Sequence, residues 1–128
     1  MTATDRARTA LRRRAVLAMA VVAMGLPGAA GAHAAEPLVD WVSQNWRRPD
    51  SSIWEVRGET RHYCYSKVMS WVALDRGIRI ASEHGLDGNV AAWIVAREEV
   101  RAQILERGWS ADKGAFIQAY DHPETLDA

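Results

Sequence analysis

The sequence predicts an all-α fold of about three helices joined by loops. Three observations carry this expectation. Apolar residues recur at three- and four-residue steps in three separate stretches, glycine and proline clusters punctuate them, and only one short stretch alternates as an extended piece.

In the first stretch Leu38, Trp41, Val42 and Trp46 share a face, so a short helix is expected from Pro37 to about Trp46, with Pro37 in its first turn. Arg47 to Ser52 breaks the pattern, and Pro49-Asp50 is a turn signal. The second helix is expected from about His62 to His84. Tyr65, Val68, Met69 and Val72 form one stripe and Trp71, Leu74, Ile78 and Ala81 another, giving a face wide enough to pack on two sides. Gly77 is a weak point in it, costing about 1 kcal/mol relative to alanine. Gly85-Leu86-Asp87-Gly88 ends this helix, and Asp87 or Asn89 caps the third. Val90, Trp93, Ile94, Val100 and Ile104 trace the buried stripe of the third helix. Arg97, Glu98, Glu99, Arg101, Glu106 and Arg107 populate its solvated face, and Gly108 stops it. Phe116, Gln118 and Tyr120 then alternate as a short extended piece within Trp109 to Tyr120.

The chain has 128 residues, with 16 basic residues balanced by 16 acidic ones. This suits one modest folded domain and offers no electrostatic funnel for a polyanion, so no nucleic-acid partner is expected. Cys64 is the single cysteine, which excludes an intramolecular disulfide. His33, His62, His84 and His122 lack paired metal-ligand spacing, and no metal or cofactor is expected. The six tryptophans, Trp41, Trp46, Trp54, Trp71, Trp93 and Trp109, suit either a core of bulky side chains or stacking on sugar C–H faces.

The first 34 residues read as a signal-peptide-like segment. Arg6, Arg8, Arg12, Arg13 and Arg14 open it, an apolar run follows from Ala15 to Leu26, and small residues close it at Ala34. Arg13-Arg14 followed by apolar residues has the form of a twin-arginine export signal. The apolar run is shorter than the roughly 20 residues of a membrane span, so no stable span is expected. Export with cleavage after Ala34 is the expectation, and a cytoplasmic protein with a misplaced start is the alternative. A mature chain of about 94 residues would bury only about two-thirds of its unfolded surface. Helices with apolar faces on more than one side suggest a slice of something larger.

The stretch that organises the chain is Ile53-Trp54-Glu55-Val56-Arg57-Gly58, in the loop between the first two helices. Loops of this kind carry binding and catalytic groups. A carboxyl held against an indole has a raised pKa and can act as a proton donor near neutral pH. The residues alone favour the plainer alternative, a solvated loop glutamate beside a core tryptophan, because perturbed carboxyls are rare even in clefts.

Pro49-Asp50, Ile53 to Gly58, His62, Tyr65-Ser66-Lys67-Val68-Met69, Trp71-Val72-Ala73 and Asp75-Arg76 together resemble glycoside hydrolase family 15, most closely its bacterial glucoamylase-like and trehalase members. Gly108-Trp109, Gly114 to Tyr120 and Leu126-Asp127-Ala128 resemble it too, in the same order. The resemblance covers roughly Leu38 to Ala128 and assigns residues 35–128 to part of a catalytic domain.

The resemblance implies a fragment of an (α/α)6 toroid, whose loops line a central pocket. It implies hydrolysis of a terminal α-glucosidic bond with inversion by two carboxyl groups about 6.5–9.5 Å apart. The family's general acid falls on Glu55, and Trp54 falls beside the glucose subsite. Arg57 is the candidate for polar contacts that fungal relatives make through an acidic residue where this chain has Val56. Tyr65 and Lys67, at the start of the next helix, are candidate substrate contacts, with a core tyrosine and a surface lysine as the alternatives. Asp127 resembles an aspartate near the family's sugar site. The implied partner is a small carbohydrate: trehalose, maltose or a short α-glucan.

The family's catalytic base lies beyond the part matched by Ala128. Glu59 is too close in sequence to serve, and Glu98, Glu99 and Glu106 lie on a polar helix face. The expectation is therefore part of an inverting α-glucosidase with little hydrolysis of its own. The alternative is a non-catalytic, exported helical remnant with at most weak sugar binding.

Overall fold

The computed structural model describes residues 29–53 and 57–127, with side chains from Ala35 onward. Trp54, Glu55 and Val56, and the signal-like segment as far as residue 28, lie outside the described residues. Three helices follow one another: α1 (Ala29–Asn45), α2 (Cys64–His84) and α3 (Val90–Gln103). α3 runs into a π-helical turn, Ile104–Gly108, and then into strands β1 (Trp109–Ser110), β2 (Ala115–Ala119) and β3 (His122–Leu126).

α2 packs against both other helices, and α3 also touches α1. The core is one cluster built around Val39, Val42, Trp46, Cys64, Ala73, Leu74, Trp93, Val100 and Ile104. α2 is central because it packs on both neighbours; of its two expected apolar stripes Leu74 and Ala81 are buried, and the other residues are half-buried. It ends at Gly85, which takes the left-handed conformation (φ 61°, ψ 40°) and donates its N–H to the Ala81 carbonyl. Glycine reaches that conformation without the steric cost of a Cβ.

The first helix differs from expectation. α1 begins at Ala29, so Pro37 lies inside it rather than in its first turn, on an exposed position. Proline there removes one intrahelical hydrogen bond. The helix persists through the buried series Ala35, Val39 and Val42, with Trp46 buried just after it. In α3, Trp93, Val100 and Ile104 are buried as expected, but Ile94 is 40% exposed.

The all-α expectation needs correction, because the C-terminal part forms a three-stranded antiparallel sheet in the order β1-β2-β3. Trp109 pairs with Phe116 and Ser110 with Ala115. Ile117 pairs with Leu126 and Ala119 with His122, with an irregularity between the last two pairs. The extended piece read from the alternation is β2. It turns Ile117 and Ala119 inward, both under 5% exposed, and leaves Phe116 outward against Trp109 in an edge-to-face pair at 5.1 Å. β3 is exposed over most of its length and contains Pro123, which an outer strand tolerates. The sheet rests on the start of α2, where Tyr63 bridges to Ala119 and the Tyr120 N–H donates to the His62 carbonyl at 3.1 Å.

Gly77 is the contact point of α1 and α2. A methyl added there would lie 2.6 Å and 2.7 Å from the two γ-carbons of Val39, a residue with no exposed surface. Val39 is branched at Cβ and has no free direction in which to retreat. Overpacking of this kind costs about 1–3 kcal/mol, which outweighs the roughly 1 kcal/mol that alanine gains over glycine inside a helix. Gly77→Ala is therefore expected to lower the denaturation midpoint of the chain. A raised midpoint would mean that the helices do not approach so closely.

Candidate active-site loop

The loop between α1 and α2 is closed at its base. Asp50 and Arg61 form an antiparallel bridge, each donating its N–H to the other's carbonyl at 2.9 Å. The Asp50 side chain shapes the incoming side: its Oδ1 accepts from the Ser52 N–H at 2.6 Å and from the Ser66 hydroxyl at 2.8 Å. The first of these is an Asx-turn, the local bond that suits aspartate after proline. Ser52 has φ 62°, a conformation a non-glycine residue holds only when its surroundings impose it. On the outgoing side, Gly58 has φ 134°, which glycine adopts without a Cβ clash. In the sequence, Trp54 and Glu55 fall between Asp50 and Arg61, outside the described residues.

Beneath the loop base lies Lys67, with 1% of its surface exposed. Its Nζ donates to the Trp46 carbonyl at 2.6 Å and the Arg48 carbonyl at 2.9 Å. Burial pushes its pKa down to about 8, with the charge of Arg107 adding to the fall and Asp50 opposing it. Of the other expected contacts, Tyr65 is half-buried in the first turn of α2 and Arg57 is exposed in the loop. Tyr65 and Lys67 are two residues apart on a helix and so do not form one patch. The structure brings Lys67 to the loop base through these two bonds.

The outgoing side is fixed to the sheet. Arg61 pairs with Asp121 at 2.8 Å. His62 stacks on Tyr120 with ring centroids 6.1 Å apart, and the Arg107 guanidinium lies 4.7 Å above the Tyr120 ring. Burial, then the charges of Lys67 and Arg107, lower the His62 pKa and favour the neutral ring, and the charges of Asp50 and Asp121 oppose them. Burial raises the Tyr120 phenol and pushes the Cys64 thiol up to about 11, so both keep their protons at neutral pH.

Among the described residues, two shallow surface grooves are present, one lined by Ser43, Arg47, Val95 and Glu99 and the other by Val68, Trp71, Arg101 and Leu105. Neither is lined by Arg57, Tyr65 or Lys67. Asp50 and Ser66, read from the sequence only as parts of a turn and of the family-like run, bond to each other at the loop base. The signal for Asp50 was present in Pro-Asp-Ser-Ser, a sequence built for a side-chain-capped turn.

The family described as Glycosyl hydrolases family 15 matches residues 13–128. The chain belongs to glycosyl hydrolase family 15. This family 15 chain is 46% identical over 90 residues to a trehalase of Mycobacterium tuberculosis, covering 70% of this chain and 13% of that protein. It is 62% identical over 82 residues to trehalase 1 of Sulfolobus acidocaldarius, covering 64% of this chain and 13% of the relative. A trehalase of Thermoplasma volcanium is 44% identical over 75 residues, or 59% of this chain and 12% of its own length. The family 15 chain thus spans 12–13% of the length of these relatives. No solved structure matches it significantly.

Proposed function

We propose that this chain is part of the catalytic domain of an inverting α-glucosidase of the trehalase type, with Glu55 as the general acid. The observation that carries the reading is the family 15 match running through Trp54-Glu55 and both sides of the loop that holds them. Relatives named trehalase make trehalose the first substrate to test, ahead of maltose and short α-glucans. In this reading α1 to α3 belong to a helical toroid, and the sheet braces the loop between α1 and α2 from the side of Arg61 and His62.

Protonation of the glycosidic oxygen by Glu55 makes the departing sugar a neutral alcohol, while a second carboxylate deprotonates water on the opposite face. Glu59 lies in the same loop, and Glu98, Glu99 and Glu106 are exposed on or just after α3. We propose that none of these is the base, and we expect little turnover from residues 35–128 by themselves. Trp54 supports the glucose ring, and Arg57 and Tyr65 are the candidate hydroxyl contacts. Under the export proposal, cleavage after Ala34 would keep Ala35, Val39 and Val42 of α1 and Trp46 just beyond it, all of them buried.

The test uses a complete family 15 domain carrying residues 38–128. Inverting cleavage of trehalose releases one glucose as the β-anomer, from the attacked ring, and one as the α-anomer, from the leaving ring. Proton NMR in the first turnovers is expected to show the two in equal amounts. Release of α-glucose alone would overturn the inverting assignment, and absence of hydrolysis would favour the non-catalytic remnant.

A further inference from the structure

We propose that Lys67 is a positioning residue for the loop between α1 and α2, lacing its incoming strand to its outgoing one so that both ends of the loop are fixed. The inference rests on the reading of that loop as the carrier of the catalytic acid, and it moves Lys67 from a sugar contact to a support.

The geometry is a ladder of fastenings. Lys67 reaches back 21 residues to the Trp46 carbonyl and 19 to the Arg48 carbonyl. Trp46 follows the last residue of α1, where carbonyls lose their intrahelical partners. Two residues beyond Arg48, the Asp50 carboxylate is held by Ser66, the neighbour of Lys67 on α2. The Asp50 backbone is held in turn by Arg61. The stretch 46–50 is thereby tied to the stretch 61–67 at successive points, and the intervening loop leaves and returns at fixed positions.

A buried ammonium is costly unless its donors are used. A side chain needed only for packing would be served by methionine or leucine. Here the amine is spent on backbone carbonyls, and it sits away from both surface grooves. A lysine that bound sugar would need its amine exposed in a cavity. The serine beside it shows the same economy: the Ser66 hydroxyl is used on Asp50, and the Ser66 carbonyl accepts from the Ser70 hydroxyl at 2.8 Å.

The experiment is hydrogen exchange of backbone amides on the whole 128-residue chain, comparing the native sequence with Lys67→Met, Lys67→Arg and Ser66→Ala. The Asp50 and Arg61 amides report on the loop base, and amides in the middle of α3 report on the fold. In Lys67→Met the two loop-base amides are expected to exchange about tenfold faster or more, the effect of losing bonds to a charged donor, with α3 unchanged. Lys67→Arg, which restores donors, is expected to recover part of that protection. Unchanged exchange at Asp50 and Arg61 in Lys67→Met would overturn the proposal, as would a rise shared equally with α3 or a Lys67→Arg variant indistinguishable from Lys67→Met. If Lys67→Met does not fold, Ser66→Ala decides. It deletes one hydroxyl, and faster exchange confined to the same two amides is expected, whereas no change there overturns the proposal. These readouts involve no catalysis, so they succeed or fail independently of the assignment of Glu55.

Discussion

Trp93→Ala is expected to cost more stability than any other single change in the helical core. The indole is 1% exposed and belongs to the core cluster to which all three helices contribute. Its Nε1–H donates to Asp40 Oδ1 on α1 at 2.6 Å. A Cβ at Gly88 would lie 2.5 Å from its Cη2, so the turn before α3 is moulded around the ring. Truncating a buried tryptophan to alanine costs about 3–5 kcal/mol. The loss of a charge-assisted bond to Asp40 adds to that. For a domain of this size, 3 kcal/mol corresponds to a fall in Tm of about 12–24 °C, a large share of the total stability of about 5–15 kcal/mol. Thermal unfolding followed by circular dichroism checks it. Trp93→Phe, which keeps most of the apolar volume and loses the N–H, should fall between the two. An unshifted melt for Trp93→Ala would mean that α3 does not seal the core against α1.

Much of this arrangement is legible in the sequence, and the exceptions share a cause. Hydrophobic periodicity locates α2 and α3 because apolar burial leaves a repeating mark, but of the buried residues of these two helices it names only Leu74, Ala81, Trp93 and Val100. It misses Val39, which lies beside the expected stripe and is buried only because Gly77 on α2 lets the helices approach. It also misses the polar strip on α2, where Ser66, Lys67 and Ser70 are all buried. Those residues are satisfied by groups elsewhere in the fold or one turn back, and no local pattern announces that a lysine will meet two carbonyls about twenty residues upstream. β3 is hidden for a different reason. His122-Pro123-Glu124-Thr125-Leu126 is mostly exposed, so its pairing with β2 owes nothing to alternation. The site follows the same division. Trp54-Glu55 is found through the family motif, whereas the Asp50–Arg61 closure that anchors its loop becomes visible only in three dimensions.

The largest functional effect is expected at Glu55. In a complete family 15 domain carrying residues 38–128, Glu55→Gln keeps the size and polarity of the side chain and removes only the transferable proton. General acid catalysis contributes about 10²–10⁴-fold, so kcat on trehalose is expected to fall by that factor while KM changes little. The loss should depend on the leaving group. Glucose departs as a poor leaving group that needs a proton, whereas fluoride leaves α-glucosyl fluoride with far less help. A variant damaged in its fold or in sugar binding would lose both activities together.

The measurement that bears most directly on the account is therefore the ratio of turnover on trehalose to turnover on α-glucosyl fluoride, with and without Glu55→Gln. The account predicts that trehalose turnover falls by about 10²–10⁴-fold while fluoride turnover stays within about tenfold of the native domain. Normal trehalose turnover in the variant, or equal losses on both substrates, would contradict the assignment of Glu55 as the acid.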